Sequence, residues 1–358
     1  MKILLLGEYS GLFNSLKEGL VELGHNVTLI SDGDGFKNYP SDYSWRVSNF
    51  GSLNPYFSLL KGLSLLPKFT GFDIVYVVSP NIICGKPYFG PLLFNFLKRY
   101  NGKVFLCGAG MTAKIFKYWY DNKGTKYNKY VNGYADEVGG DINRFYLYSS
   151  KLLKDEMEIL SIVDGYIPIM YEYAAPFLNH PKCCKTIPIP INPHKYEYFD
   201  NIVDDRIRIF HGKTKPCKGG EYILKAFENL STKYSKEVEF ITKGNIPFDK
   251  YIPYLRTMNI IVDDANAYSL GMNALFSMSM GRIVLGGAEE LGDMNLGYST
   301  KNPAFNIISD VKNISDTLEN LITNRETLVE KGMQSRKFVE DEHDYIKIAQ
   351  NYLEVWNS

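Results

Sequence analysis

The chain has 358 residues, 45% of them hydrophobic, with forty Lys and Arg against forty Asp and Glu. That length carries two ordinary domains with a core each, and the charge balance excludes a global field towards nucleic acid or an acidic membrane, so any such partner is met locally. Five cysteines, with Cys183 and Cys184 adjacent, exclude a disulfide framework and fit a reducing compartment.

The opening M-K-I-L-L-L-G-E-Y is too short an apolar stretch for a secretory signal, and no run approaches the ~18 residues that span a bilayer. A soluble cytoplasmic protein, at most peripheral on the inner face of the plasma membrane, is expected. Ile3–Leu6 reads as a short buried strand, and Leu12, Phe13, Leu16, Leu20 and Leu23 recur at helical spacing. Gly24 stops that helix and Val27–Ile30 is the next strand, which makes a βαβ opening. Further strands are expected at Ile74–Val78, Val104–Cys107 and Tyr166–Met170. Thr186–Pro193 has prolines at alternate positions, cannot be an interior strand, and reads as a stiff extended linker. Beyond it the pattern restarts with strands at Ile207–Phe210, Val238–Thr242, Ile260–Val262, Ile283–Leu285 and Phe305–Ile308. Ile346, Ala349, Leu353 and Trp356 place an amphipathic helix at the end. The expected class is α/β with two doubly wound parallel-sheet domains, residues 1–190 and 191–342. The segment 343–358 forms a helix packing back towards the first domain.

The most informative stretch is Ile207–Lys225, I-R-I-F-H-G-K-T-K-P-C-K-G-G-E-Y-I-L-K. A strand runs into a glycine, a cationic loop and a helix, where α/β proteins bind phosphate with amides, the helix N-terminus and ammonium groups. Lys213 and Lys218 are the candidate catalytic cations, flanked by Gly212 and Gly219, whereas Lys215 and Lys225 read as surface. The second candidate is Asp263–Gly287, where a strand ends in Asp263 and Asp264 and a loop passes through Gly271 into a helix. The amides of Leu270, Gly271 and Met272 are placed to add to a diphosphate site, while Leu275 and the methionines read as core. In the first domain, G-E-Y-S-G lacks the glycines of a dinucleotide loop. A tight turn and a binding loop both remain open there, with Gly7, Ser10 and Gly11 as acceptor-side candidates. Asp32 and Asp34 match an Asp-x-Asp metal pattern only by its shortest form, and no metal is expected. The stretch 114–134 interleaves Lys114, Lys117, Lys123, Lys126 and Lys129 with Phe116, Tyr118, Trp119, Tyr120, Tyr127 and Tyr130. It reads either as contact with a membrane or lipid-linked acceptor, or as a solvated helix with one packed aromatic face.

At these segments the chain resembles the retaining family-4 (group 1) glycosyltransferases of the GT-B fold, especially bacterial enzymes that build surface polysaccharides. Gly212-Lys213, Lys218-Gly219 and Ala226-Phe227 match the family's Gly-Arg, Lys-Gly and Ala-Phe, with Lys in place of Arg. Gly271, Ser277-Met278-Ser279-Met280-Gly281 and Ile283–Gly287 match its second loop, helix and strand. The resemblance implies two Rossmann-like domains facing across a cleft and a nucleotide-sugar donor, UDP or GDP type, with no further cofactor. It also implies transfer of a hexosyl group with retention to a saccharide or lipid-linked saccharide, and no partner nucleic acid. Two departures stand out. The family's two glutamates, the later gripping the donor ribose, fall here on Tyr268 and Phe276, a loss of about 1.5–3 kcal/mol that Asn273 is nearest to replacing. The family's histidine in the first domain is replaced by the run Cys107-Gly108-Ala109-Gly110. A non-catalytic GT-B binding protein and a GT-B nucleotide-sugar 2-epimerase are therefore the alternatives, and a dinucleotide oxidoreductase is the weakest.

Overall fold

A computed structural model describes residues 1–47, 51–80, 90–137, 150–212, 216–244, 246 and 248–358. The chain divides into two compact units. One comprises Met1–Lys117, Tyr146–Asn192 and Tyr345–Ser358; the other comprises Tyr118–Phe145 and Pro193–Asp344.

The elements run in chain order as β1 (Lys2–Leu6), α1 (Leu12–Glu22), β2 (Asn26–Ser31), β3 (Tyr43–Ser44), α2 (Asn54–Ser64), β4 (Ile74–Val77) and α3 (Gly90–Tyr100). There follow β5 (Lys103–Gly108), α4 (Ala113–Asp121), α5 (Lys126–Glu137), α6 (Ser150–Ile162), β6 (Gly165–Pro168) and α7 (Tyr171–Ala174). The first sheet is parallel throughout, in the order β3-β2-β1-β4-β5-β6. Ile3, Leu4, Leu5 and Leu6 are wholly buried, as expected of a central strand covered on both faces.

The chain's last helix, α14 (Tyr345–Asn357), belongs to this unit and lies along α1. A Cβ at Gly19 of α1 would stand 2.2 Å from the carbonyl oxygen of Tyr345, so this crossing admits only glycine. Tyr352 and Trp356 of α14 pack on Tyr76 of β4 at centroid separations of 5.3 and 5.7 Å.

The proline-alternating stretch is extended, as expected, ends where the two units divide, and is largely buried. Ile187, Ile189 and Ile191 are buried, and the chain follows β6 through a Tyr166–Cys183 bridge and an Ile187 N–H bond to the Pro168 carbonyl. Lining an outer strand costs few bonds, because the prolines lack donors only where no further strand would pair.

The second unit continues with β7 (Ile207–Gly212), α8 (Gly220–Lys233), β8 (Val238–Lys243), α9 (Phe248–Arg256), β9 (Ile260–Val262) and α10 (Met272–Ser279). It closes with β10 (Ile283–Gly286), α11 (Glu290–Leu296), β11 (Phe305–Asn306), α12 (Val311–Thr323) and α13 (Leu328–Glu342). Its sheet is also parallel, in the order β11-β10-β9-β7-β8. Ile223, Ala226, Phe227 and Leu230 of α8 and Ile314, Leu318 and Leu321 of α12 share one core with Ile207, Ile209 and Ile260. The segment from Tyr118 onwards, assigned by the sequence reading to the first domain, groups with this sheet. Trp119 stacks on Tyr268 at 5.5 Å, and Lys126 reaches Glu289 and Asn306.

Candidate active site

In an open parallel sheet, ligands bind beyond the carboxyl ends of strands where the strand order reverses, because neighbouring loops there leave towards opposite faces. In the second sheet that point lies between β7 and β9. The loop after β7 carries Lys218 and Gly219, and the loop after β9 carries Asp263 to Gly271.

Asp263 joins the two loops. Its Oδ1 accepts from Lys218 Nζ at 2.8 Å and from Asn273 Nδ2 at 3.2 Å, and Tyr251 donates its hydroxyl to Asn273 Oδ1 at 2.5 Å. Lys218 and Asp263 are both largely withdrawn from solvent. Burial works against the Lys218 charge, but Asp263 and Asp264 outweigh it and hold the ammonium above the ordinary lysine range. Burial likewise works against the Asp263 carboxylate, and Lys218 with the Asn273 hydrogen bond outweighs it and holds the carboxyl below its usual value. Asp264 is pushed up to about 6 by burial and by the neighbouring Asp263 charge, against the attraction of Lys218.

Gly219 is required twice over: its φ is 76°, and a Cβ would lie 2.4 Å from Ser309 Oγ and 3.2 Å from Ala265 Cβ. The Lys218 loop is fastened to its neighbour by Ala265 N–H to Lys218 O at 3.1 Å and Asn266 Nδ2 to Cys217 O at 2.8 Å, with Ser309 Oγ on Asn266 Oδ1. Behind it, His211 is buried and bonded through Nδ1 to Val262 O. Gly271 opens α10 with no side-chain cap, and open space surrounds the position its Cβ would take. Leu270 is buried, Met272 and Asn273 are half-buried, and Lys225 is exposed. Thus Lys218 and Asn273 converge at Asp263, with Gly219 next to Lys218 against Ala265 and Ser309 and Gly271 at the head of the adjoining helix. Gly212 ends β7, and Lys213 and Lys215 lie outside the described residues.

The sequence placed Asp263 at the end of the strand in the second candidate segment without giving it a role, and Tyr251 was missed. An acid ending a buried strand opposite a lysine loop was the available signal for the first. Nothing in the local sequence marks Tyr251.

The corresponding end of the first sheet is organised around Glu8. This buried carboxylate accepts from the backbone of Gly11, Phe13 and Asn14 and from Asn14 Nδ2 at 2.6 Å, filling the N-terminus of α1 with the protein's own anion. Burial nevertheless pushes it up to about 6. Ser10, at φ 56°, is held by Asp34 through its N–H and by Lys37 through its hydroxyl. Gly7 and Gly11 have φ of 94° and 89°. Asp32 accepts from the Asp34 N–H, and Asp34 pairs with Lys37. Both acids of the Asp-x-Asp pattern thus serve the turn, and among the described residues no three His, Cys, Asp or Glu side chains converge as a ligand set. In the run Cys107–Gly110, burial pushes the Cys107 thiol up to about 12, and Gly108 lies against Tyr166, whose hydroxyl would stand 2.4 Å from a Cβ.

No family model and no curated relative matches the sequence. Solved structures do. Sucrose-phosphate synthase from Thermosynechococcus elongatus superposes with a TM-score of 0.65 at 13% identity, over 100% of this chain and 98% of that one. HepE from Anabaena, in complex with UDP and glucose, gives 0.64 at 12% identity over 100% and 99%. The UDP-GlcNAc 2-epimerase of Neisseria meningitidis, bound to UDP-GlcNAc, gives 0.53 at 13% over 99% of each. The chain has the GT-B fold.

Tyr268 and Phe276, the positions where the resemblance drawn from the sequence would expect glutamates, are aromatic and engaged. Phe276 is buried on Tyr196 at 4.9 Å, and Tyr268 stacks on Trp119 while its carbonyl accepts from the Glu289 N–H.

Proposed function

We propose that the chain is a glycosyltransferase using a UDP- or GDP-type nucleotide sugar, acting on a saccharide or lipid-linked saccharide acceptor in cytoplasmic steps of surface polysaccharide synthesis. The observation that carries this reading is Lys218, held charged and oriented by Asp263 at the strand-order reversal of a GT-B sheet, beside the uncapped start of α10. Departure of a nucleoside diphosphate needs charge stabilised where it develops, and fixed donors in a partly dry site do this without reorganising. Lys218, Lys213 and the amides at 270–272 are assigned that role, with Gly212 and Gly219 leaving room for the phosphates and Asn273 facing the ribose. With retention, the acceptor hydroxyl attacks on the face the diphosphate leaves. The departing phosphate oxygen takes the hydroxyl proton, so neither the family histidine nor a protein nucleophile is needed. The acceptor is assigned to the first unit near Gly7, Ser10 and Gly11.

A second reading is favoured by Phe276, whose burial on Tyr196 leaves no carboxylate for the ribose: a GT-B nucleotide-binding protein without transfer, or a 2-epimerase. Incubation with UDP- and GDP-hexoses, with and without saccharide acceptors, separates these. Nucleoside diphosphate released only when acceptor is present supports the transferase. A C2 epimer formed from donor alone identifies the epimerase, and binding without turnover identifies the binding protein.

A further inference from the structure

Helix α2 in the first unit is built unlike the helices that cover the sheet. Gly62 is its one buried residue, while Leu53 just before it and Tyr56, Phe57, Leu60 and Leu63 within it are all exposed, Leu60 to 61% and Tyr56 to 59%. At 100° per residue these five side chains fall within an arc of roughly 120°, the width of a face that is normally turned to a core. The ends of the segment are nevertheless anchored, because Trp45 on one side and Phe69 on the other are buried. A stretch fastened at both ends therefore presents a continuous apolar stripe to solvent.

The charges beside the stripe are of one sign. Between Asp42 and Asp73 the sequence holds Arg46, Lys61 and Lys68 and no acid. Lys61, on the helix, donates to the Arg46 carbonyl at 3.2 Å, Lys68 just beyond the helix sits over the Tyr43 ring at 5.2 Å, and the Arg46 guanidinium is held by the neutral acceptors Gly35 O and Asn38 Oδ1, so its charge is not answered by an acid. An exposed apolar face with tyrosine and flanking cations is the composition of a helix that lies in a membrane interface.

We propose that α2 is a docking face for an anionic lipid surface, lying flat with Leu53, Phe57, Leu60 and Leu63 among the acyl chains. Arg46, Lys61 and Lys68 then meet the headgroups. Charge complementarity selects this occupant over a second copy of the chain, since a symmetric pairing through α2 would oppose three cations to three cations with no acid to answer them. The stretch 114–134 is less suited to the task. Trp119 and Tyr127 are buried, Lys126 is paired with Glu289, and Lys129 donates to the Ser309 carbonyl, all within the second unit. The inference does not depend on the reaction assigned above.

The test is flotation of the full chain with vesicles of phosphatidylcholine, with and without 30 mol% phosphatidylglycerol, alongside gel filtration. The wild type is expected to float with the anionic vesicles and not with the neutral ones. Leu60→Ser/Leu63→Ser is expected to cut the bound fraction at least tenfold, and Lys61→Ser/Lys68→Ser to cut it severalfold with a weaker salt dependence. Leu53→Ser/Tyr56→Ser provides an independent apolar pair, and unchanged circular dichroism certifies each fold. Failure of the wild type to float, or flotation of both apolar variants at the wild-type level, overturns the proposal. So does a wild-type dimer that the leucine variant converts to monomer.

Discussion

The Lys218–Asp263 pair sets the chemistry of the candidate site at the scale of single residues. Folding keeps Asp263 ionised, so its contribution is present above the ordinary aspartate range and lost as pH falls through its lowered value. Lys218, raised, contributes below the ordinary lysine range and loses that contribution only as pH rises beyond it. The pair is thus intact at all working pH. Lys218→Met alone strands the Asp263 carboxylate, and urea unfolding should show a loss on the order of 3 kcal/mol. A loss near zero would mean that water already screens the pair. Glu156 behaves oppositely. It accepts from Thr112 Oγ1 at 2.5 Å and from the Lys114 N–H at 2.9 Å at the start of α4, and burial pushes its carboxyl up to about 7. Its stabilising contribution is complete below about pH 4.5 and is lost as pH rises through 7, on the order of 3 kcal/mol. Glutamine satisfies both partners, with its carbonyl on Lys114 and its amide on Thr112. The Glu156→Gln variant should therefore lose its share of the stability decline between about pH 4.5 and 7, including the part above pH 6. Glu8 and Asp264, both near 6, contribute to the same decline only in its lower part.

At the scale of elements, glycines decide what can approach what. Gly19→Val would drive a side chain into the Tyr345 carbonyl and push α14 off α1, at a cost of about 1–3 kcal/mol or more by chemical denaturation. A neutral outcome would show that α14 shifts freely. Elements were legible in the sequence where one physical signal dominated. Ile3–Leu6, Ile207–Phe210 and Ile260–Val262 are apolar runs bounded by turn residues, and each became a central strand. The pair Tyr43–Ser44 is too short and too polar to signal, so β3 was not foreseen. At 186–193 the prolines correctly excluded an interior strand, but the burial of the isoleucines between them was not foreseen. At the site, the cationic loop and Gly271 were visible because glycine and charge interrupt the pattern. The Asp263 partnership was not visible, since it joins positions 45 residues apart that only the strand order brings together.

At the scale of the whole molecule, two parallel sheets recur with different strand orders, and each turns a different chemistry to its carboxyl end. The first meets its leading helix with its own anion, Glu8, and the second offers Lys218 and an uncapped helix. The proposed nucleotide site lies on the second unit. Because Asp263 already balances Lys218, part of the diphosphate affinity is assigned in this proposal to amides and to Lys213, and moderate affinity is expected.

Isothermal titration of UDP and GDP into the wild type and into Lys218→Met/Asp263→Asn tests this most directly, since the double change removes both charges of the pair and takes from Asp264 one attracting and one repelling neighbour together. The account predicts that one nucleotide binds the wild type and that the double variant, with an unchanged unfolding midpoint, binds it at least tenfold more weakly. Equal affinity in both proteins, or no binding of either nucleotide to the wild type, would contradict it.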